Sequence, residues 1–200
     1  MRLAVLLALA VAGCAGAKPK PWVPAEGRFV AQASGFELVG PAGWMRRNAP
    51  AGAETFIATR DGTPLQRILA GSTEEGKPIG FGKSTRPLAT GMSPAEVSEL
   101  VIDGISSSES LTDVKVLESS PARLDGREGF HVLVAFKETG LSRRAAVYGA
   151  VGSGRLYWLL FVAPERHYFP LDLPTFEQVV STLRIRAQPR ATPAAVPPSS

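Results

Sequence analysis

The stretch from Gly129 to Ala163 limits what this chain can fold into more than any other, because it reads as three consecutive strands with two tight turns. Phe130, Val132, Val134 and Phe136 alternate with His131, Leu133, Ala135 and Lys137. A period of two marks a strand with one strongly apolar face. Glu138-Thr139-Gly140 predicts a turn, Arg143 to Val151 a returning strand, and Gly152-Ser153-Gly154 a second turn. Arg155 to Ala163 is apolar on both faces, as expected of a central strand covered on two sides. A sheet built around such a strand needs helices above and below it.

The rest of the chain supplies them. Gly35–Val39 predicts a short strand ended by Gly40-Pro41, with Trp44 on the turn that follows. Strands are expected at Glu54–Thr59, before the Asp61-Gly62 turn, and at Arg67–Gly71. Residues 72–92 are glycine-rich and irregular and read as a long loop over the sheet. Ser93-Pro94-Ala95-Glu96 carries three agreeing helix-start signals: a serine N-cap, proline at the first helical position and a glutamate placed for a capping box. Val97, Leu100, Val101 and Ile105 then make one apolar face at helical spacing. Val114–Ser119 reads as a strand, and Arg123–Arg127 as the turn into the meander. A last helix is predicted over Pro174–Leu183, with Phe176, Val179, Val180 and Leu183 toward the sheet.

In that order the elements resemble a known family. Phe36-x-Leu38-x-x-Pro41-x-x-Trp44, the capped helix at Ser93, the long meander and Phe176-x-x-Val179-Val180-Ser181 are similar to the PsbP-like sandwich, including DcrB-like bacterial lipoproteins. The resemblance implies an α+β domain at about 28–186: a central antiparallel sheet with helices on both faces. It also implies a binding or assembly module rather than an enzyme, with no shared catalytic residues and no cofactor.

The amino terminus reads as an address. Met1-Arg2 is a positive start, and Leu3–Ala12 an apolar run of ten residues, far short of the roughly 20 that cross a bilayer. The run ends in Val11-Ala12-Gly13-Cys14, which resembles the bacterial lipobox. That resemblance implies a signal peptide over 1–13, cleavage before Cys14, a diacylglyceryl thioether on its sulfur and acylation of the freed amine. More than one acyl chain is what makes such anchoring stable. The competing expectation is an ordinary secretory signal with a chance cysteine near its cleavage site. Ala15 after the cysteine, by resemblance to enteric sorting, favours the outer membrane facing the periplasm. Cys14 is the only cysteine, so no internal disulfide forms.

Residues 14–27 hold three prolines and read as a semi-rigid tether, with Lys18 and Lys20 near lipid headgroups. Residues 187–200 are rich in proline, alanine and serine and predict a disordered tail. The chain has 22 Lys plus Arg against 18 Asp plus Glu, a net charge of +4 that becomes +3 once Arg2 leaves with residues 1–13. The cations are scattered, whereas a nucleic-acid surface needs a concentrated stripe, so no nucleic-acid partner is expected.

Sites of chemistry are few. Gly82-Lys83-Ser84 is similar to the end of a phosphate loop, but Lys77 stands where that pattern needs glycine and Arg86-Pro87 follows instead of a helix. His131 reads as a packed strand histidine. Glu165, His167 and Asp172 lie close in sequence after the central strand, and a carboxylate-histidine site there suits a metal or a general base; Arg166 between them argues against a cation. Trp22, Trp44, Arg46, Arg47 and His167 are candidates for a partner surface, since tryptophan and arginine are frequent in binding hot spots. For Trp44 the favoured reading is a plug at the edge of the core, and for Arg46 and Arg47 it is solvent. The expected function is a lipid-anchored envelope protein whose domain binds another envelope protein without catalysis. The alternative is a small-ligand or metal carrier, or a hydrolase, using the loop near His167.

Overall fold

The computed structural model describes residues 21–48 and 54–186. The predicted signal peptide, Cys14, Lys18, Lys20 and the predicted tail lie outside the described residues.

The meander is the frame. β7 (Leu111–Leu124), β8 (Arg127–Glu138), β9 (Leu141–Gly152) and β10 (Arg155–Pro164) follow one another antiparallel. Asp125-Gly126, Thr139-Gly140 and Ser153-Gly154 form the three two-residue turns, and all six residues have positive φ. Two successive positive φ values match the right-handed twist of the flanking strands, which fixes the register of all three hairpins. Beyond β10 come β6 (Arg67–Glu74), β5 (Phe56–Thr59), β4 (Met45–Arg47) and β1 (Trp22–Pro24), giving an eight-stranded sheet in the order β1-β4-β5-β6-β10-β9-β8-β7.

Each face of this sheet has its own core. Phe130, Val132, Val134 and Phe136 of β8, with Ala145, Val147, Leu156 and Val162, pack under α1 (Pro94–Ser106) through Val97, Leu100, Val101 and Ile105. On the other face Tyr157, Leu159, Phe161 and Ala163 of β10 meet Phe169, Phe176, Val179 and Leu183 of and just after α2 (Tyr168–Thr182). Phe161 stacks between Phe169 and Phe176, with ring centroids 5.3 and 5.5 Å away. So helices lie on both faces of the sheet, and β10 is fully buried on the α2 side; on the α1 side Leu156 and Val162 are buried but Trp158 and Leu160 are only half-buried, so the expected cover on two sides is incomplete. Trp44 is 3% exposed and belongs to this second core.

Several elements differ from expectation. A second sheet, β2 (Gly27–Ala31), β3 (Phe36–Gly40) and β11 (Arg184–Ile185), sits beside α2 in the order β11-β3-β2. It packs through Phe29 on Phe56 and Phe36 on Tyr157. Trp22–Pro24, read as tether, is an edge strand paired with β4; a short edge tolerates Pro24 because its outward side needs no ladder donor. β6 continues three residues past Gly71 to Glu74. The remaining part of the predicted loop is pinned to the fold, with Ile79 and Leu88 buried against the α1-side core. β7 is longer than Val114–Ser119 and is irregular between Thr112 and Lys115 and between Val116 and Glu118. α2 begins at Tyr168, six residues before Pro174, which lies inside the helix.

Candidate functional site

Eight strands span about 34 Å at the usual strand spacing, whereas one helix with its side chains is about 10–12 Å wide. One helix cannot cover a face. α1 packs over β7, β8 and part of β9, and α2 with the small sheet covers β5, β6, β10 and part of β9 on the opposite side, where Tyr148 meets Phe176 at 5.9 Å. Two diagonally opposed areas are left open.

The open area on the α1 side is an apolar groove over β6 and β10. Leu69, Trp158 and Leu160 form its floor, Pro78, Gly80 and Phe81 one wall, and Arg67, Lys77 and Glu74 its rim, enclosing about 540 Å³. Phe81 meets the Trp158 ring edge-on at 5.0 Å. Gly71 is required here: a Cβ on it would lie 2.7 Å from Cζ2 of Trp158, so only glycine lets the indole lie against the strand. Among the described residues Trp158 Nε1 is buried with no acceptor. The groove's hydrophobic row continues across the sheet, since Leu160 pairs with Leu69 and Leu69 with Ile57 in register. Sequence reasoning missed this groove, because Trp158 and Leu160 belong to the strand that reads as covered on both sides. The available signal was Gly71, a glycine within an apolar strand, which marks a close approach by another group.

The other open area lies over β8 and β9. His131 stacks on Tyr148 at 4.5 Å, and its Nδ1 is 3.4 Å from Oε1 of Glu118. The Ser120 hydroxyl donates to the same carboxylate at 2.8 Å. The Ser120 hydrogen bond and then the imidazole hold the Glu118 carboxyl below its ordinary pKa. Burial raises the Tyr148 phenol. Tyr148 opens onto a trough of about 680 Å³ bordered by Arg123, Asp125, Glu177, Val180 and Arg184. His131 thus has packing and hydrogen-bonding partners of its own.

The loop around His167 does not assemble the carboxylate-histidine site. Glu165 turns to β9, where Arg144 donates to it from Nη2 at 2.7 Å and Nε at 3.2 Å. Asp172, 1% exposed, is engaged by Arg60 Nη1 at 2.9 Å and by Gln66 Nε2 at 3.4 Å. Gln66 also donates to Asp61 at 2.6 Å, and Arg60 pairs with Asp61 at 3.1 Å. This network clasps the β5–β6 turn to α2. Burial raises the Asp172 carboxyl, while Arg60 acts in the opposite sense. His167 is the N-cap residue of α2, makes no side-chain capping bond and lies edge-on to Tyr168 at 4.9 Å. A cation there competes with Arg60 for Asp172. Among the described residues no three His, Cys, Asp or Glu side chains gather as a metal site.

Arg46 and Arg47 lie on β4, opposite Val23 and Trp22 of β1. They occupy the β1–β4 edge of the large sheet, and no contact among the described residues joins them to His167 at the start of α2. The three partner-surface candidates therefore do not form one contact network.

No protein-family model matches the chain, and no curated protein matches it in sequence. Solved structures do match in shape. The cyanobacterial PsbP protein CyanoP of Synechocystis superimposes with a TM-score of 0.54 at 12% identity, over 88% of this chain and 98% of that one. LpqN of Mycobacterium tuberculosis, involved in cell envelope biogenesis, gives 0.51 at 14% identity over 83% and 91%. The Ran-binding protein Mog1p of Saccharomyces cerevisiae gives 0.50 at 9% identity over 82% and 96%. With its large antiparallel sheet and a helix on each face, the chain has the α+β fold of PsbP-like proteins.

Proposed function

We propose that the chain is a membrane-anchored, periplasm-facing lipoprotein, held through acylated Cys14, whose domain is a non-catalytic protein-binding or assembly module of the cell envelope. The observation that carries the binding role is the half-open groove of Leu69, Trp158, Leu160 and Phe81. Aromatic and aliphatic side chains left half-buried on a rigid sheet are what a protein anchor residue fills with the least reorganisation. Supporting the reading, the shape neighbour LpqN is itself involved in cell envelope biogenesis, and the groups expected to act near His167 are engaged in ion pairs that tie the fold together. The lipobox resemblance at Val11-Ala12-Gly13-Cys14 supports the anchor and, with Ala15, the outer membrane. Anchoring raises the local concentration of a weak module near envelope complexes, so that modest affinity suffices.

The test is photo-crosslinking in the protein's own cells with the full chain. A photoreactive residue at Leu69 should give one reproducible protein adduct, which Trp158→Asp abolishes while leaving the folded protein at normal abundance. The same residue at Val39, exposed on the small sheet, should not give that adduct. Lipid-only adducts at Leu69, or the same adduct from Val39, refute the reading. Mass spectrometry of the mature chain tests the anchor, and an unmodified residue 14 refutes it.

A further inference from the structure

The β1–β4 edge carries two cations that the fold does not use. Among the described residues neither the Arg46 nor the Arg47 side chain has an ion-pair or hydrogen-bond partner; Arg123, Arg127 and Arg166 also lack one, whereas Arg28, Arg60, Arg67, Arg86, Arg143, Arg144, Arg155, Arg184 and Arg186 all pair with carboxylates. No hidden acid supplies a partner, because residues 1–20, 49–53 and 187–200 contain no aspartate or glutamate. The nearest acids in sequence are accounted for. Glu54 accepts from the backbone of Ala33 and Ser34, and Glu26 lies exposed beyond the far end of β1.

Neighbouring residues of a strand point to opposite faces. Arg46 therefore flanks one face of the sheet and Arg47 the other, where it shares a face with its cross-strand partner, the half-buried Trp22. A flat anionic surface meets both side chains only when the sheet stands on this edge; laid on either face, the domain engages one of them. The chain enters the fold at this same edge. Only seven residues lie between Cys14 and Trp22, a reach of at most about 29 Å over the eight Cα steps, and Lys18 and Lys20 are among them.

We infer that the β1–β4 edge is a second membrane contact: Arg46 and Arg47 bind anionic lipid headgroups and stand the sheet upright on the bilayer, with β7 farthest out. The inference rests on the Cys14 anchor for the distance involved, but not for the contact itself. Tryptophan at the headgroup level and cations close to an anionic surface are the usual membrane-facing chemistry. Each cation removed weakens such association about five-fold, so losing both arginines weakens the upright state about 25-fold.

The experiment uses residues 14–200, the predicted mature chain, coupled through the Cys14 thiol to a maleimide lipid in vesicles, so that natural acylation is not needed. A fluorescent amino acid at Met45 on β4 or at Leu117 on β7 reports energy transfer to acceptor headgroups; both positions are exposed. They lie six strand spacings apart, about 29 Å. When phosphatidylglycerol replaces part of the phosphatidylcholine, transfer from position 45 should rise and transfer from position 117 should fall. In R46S/R47S both should become indifferent to lipid charge, as should the parent in high salt. A parent chain that ignores lipid charge, or an R46S/R47S chain that keeps the response, overturns the inference. Because the tether is chemical, neither result bears on whether Cys14 is acylated in cells, which the mass measurement decides separately.

Discussion

Leu159 and Leu160 are neighbours on β10 with the same side chain and opposite surroundings, so truncating each in turn measures how the two faces of the sheet differ. Leu159 is 0% exposed and sits in the core under α2, whereas Leu160 is half-buried in the floor of the groove. Removing a fully enclosed leucine costs the transfer free energy of its carbons plus the cavity they leave, about 2–5 kcal/mol. At Leu160 the open groove already admits water, no closed cavity forms, and only part of the burial is lost, so the cost should be about 1–1.5 kcal/mol. For a domain of this size each kcal/mol moves Tm by about 2–4 °C. Leu159→Ala should therefore lower Tm by about 4–20 °C and shift the urea midpoint with unchanged m, while Leu160→Ala lowers it by about 2–6 °C and by less than Leu159→Ala in the same assay. In the crosslinking assay the order reverses: Leu160→Ala should lose the adduct at Leu69 and Leu159→Ala should keep it at a temperature where it is folded. Equal stability losses would mean that the α1 side of β10 is as closed as the α2 side, and would remove the basis for a binding groove.

Three further outcomes follow from particular contacts. Burial raises the Asp172 carboxyl, so the native state holds a proton that the unfolded chain has released, and that group's contribution to stability falls as pH rises from the ordinary aspartate range through the raised value. The stability of Asp172→Asn minus that of the parent should accordingly grow with pH over that window and then level off; urea denaturation at a series of pH values checks it, and a flat or falling difference refutes it. Gly71→Val should displace the Trp158 indole from the strand, costing about 1–3 kcal/mol and shifting tryptophan emission to the red. Ser93→Ala removes the hydroxyl that accepts from Glu96 N–H at 3.3 Å in the capping box of α1, and should cost about 1 kcal/mol in denaturant unfolding; a change below a few tenths would show that the cap is redundant with packing.

What could be read from the residues follows from how local each signal is. The meander and its faces were legible because alternation and the turn pairs at 125–126, 139–140 and 153–154 act within a few residues. The start of α1 was legible because Ser93, Pro94 and Glu96 report on one turn. The start of α2 was not, because a proline at N1 looks the same in sequence as one inside a helix that gives up a single hydrogen bond, and Pro174 is the latter. The small sheet was illegible as a sheet because β11 is two residues long and finds Phe36 and Glu37 across most of the chain. Asp172 was singled out as a candidate member of a carboxylate-histidine site with Glu165 and His167, but its partners are Arg60 and Gln66, more than a hundred residues away. The groove was hidden for a related reason: composition shows that a strand is apolar, whereas whether a helix reaches far enough to cover it depends on the width of the finished sheet.

That the two helices shelter different halves of one sheet has a mechanical consequence. A load pulling on the groove and a load pulling on the His131–Tyr148 trough would act through adjacent strands, β10 and β9, joined by ten register pairs, so tension between them would run along the hydrogen-bond direction of the ladder and not peel either helix away.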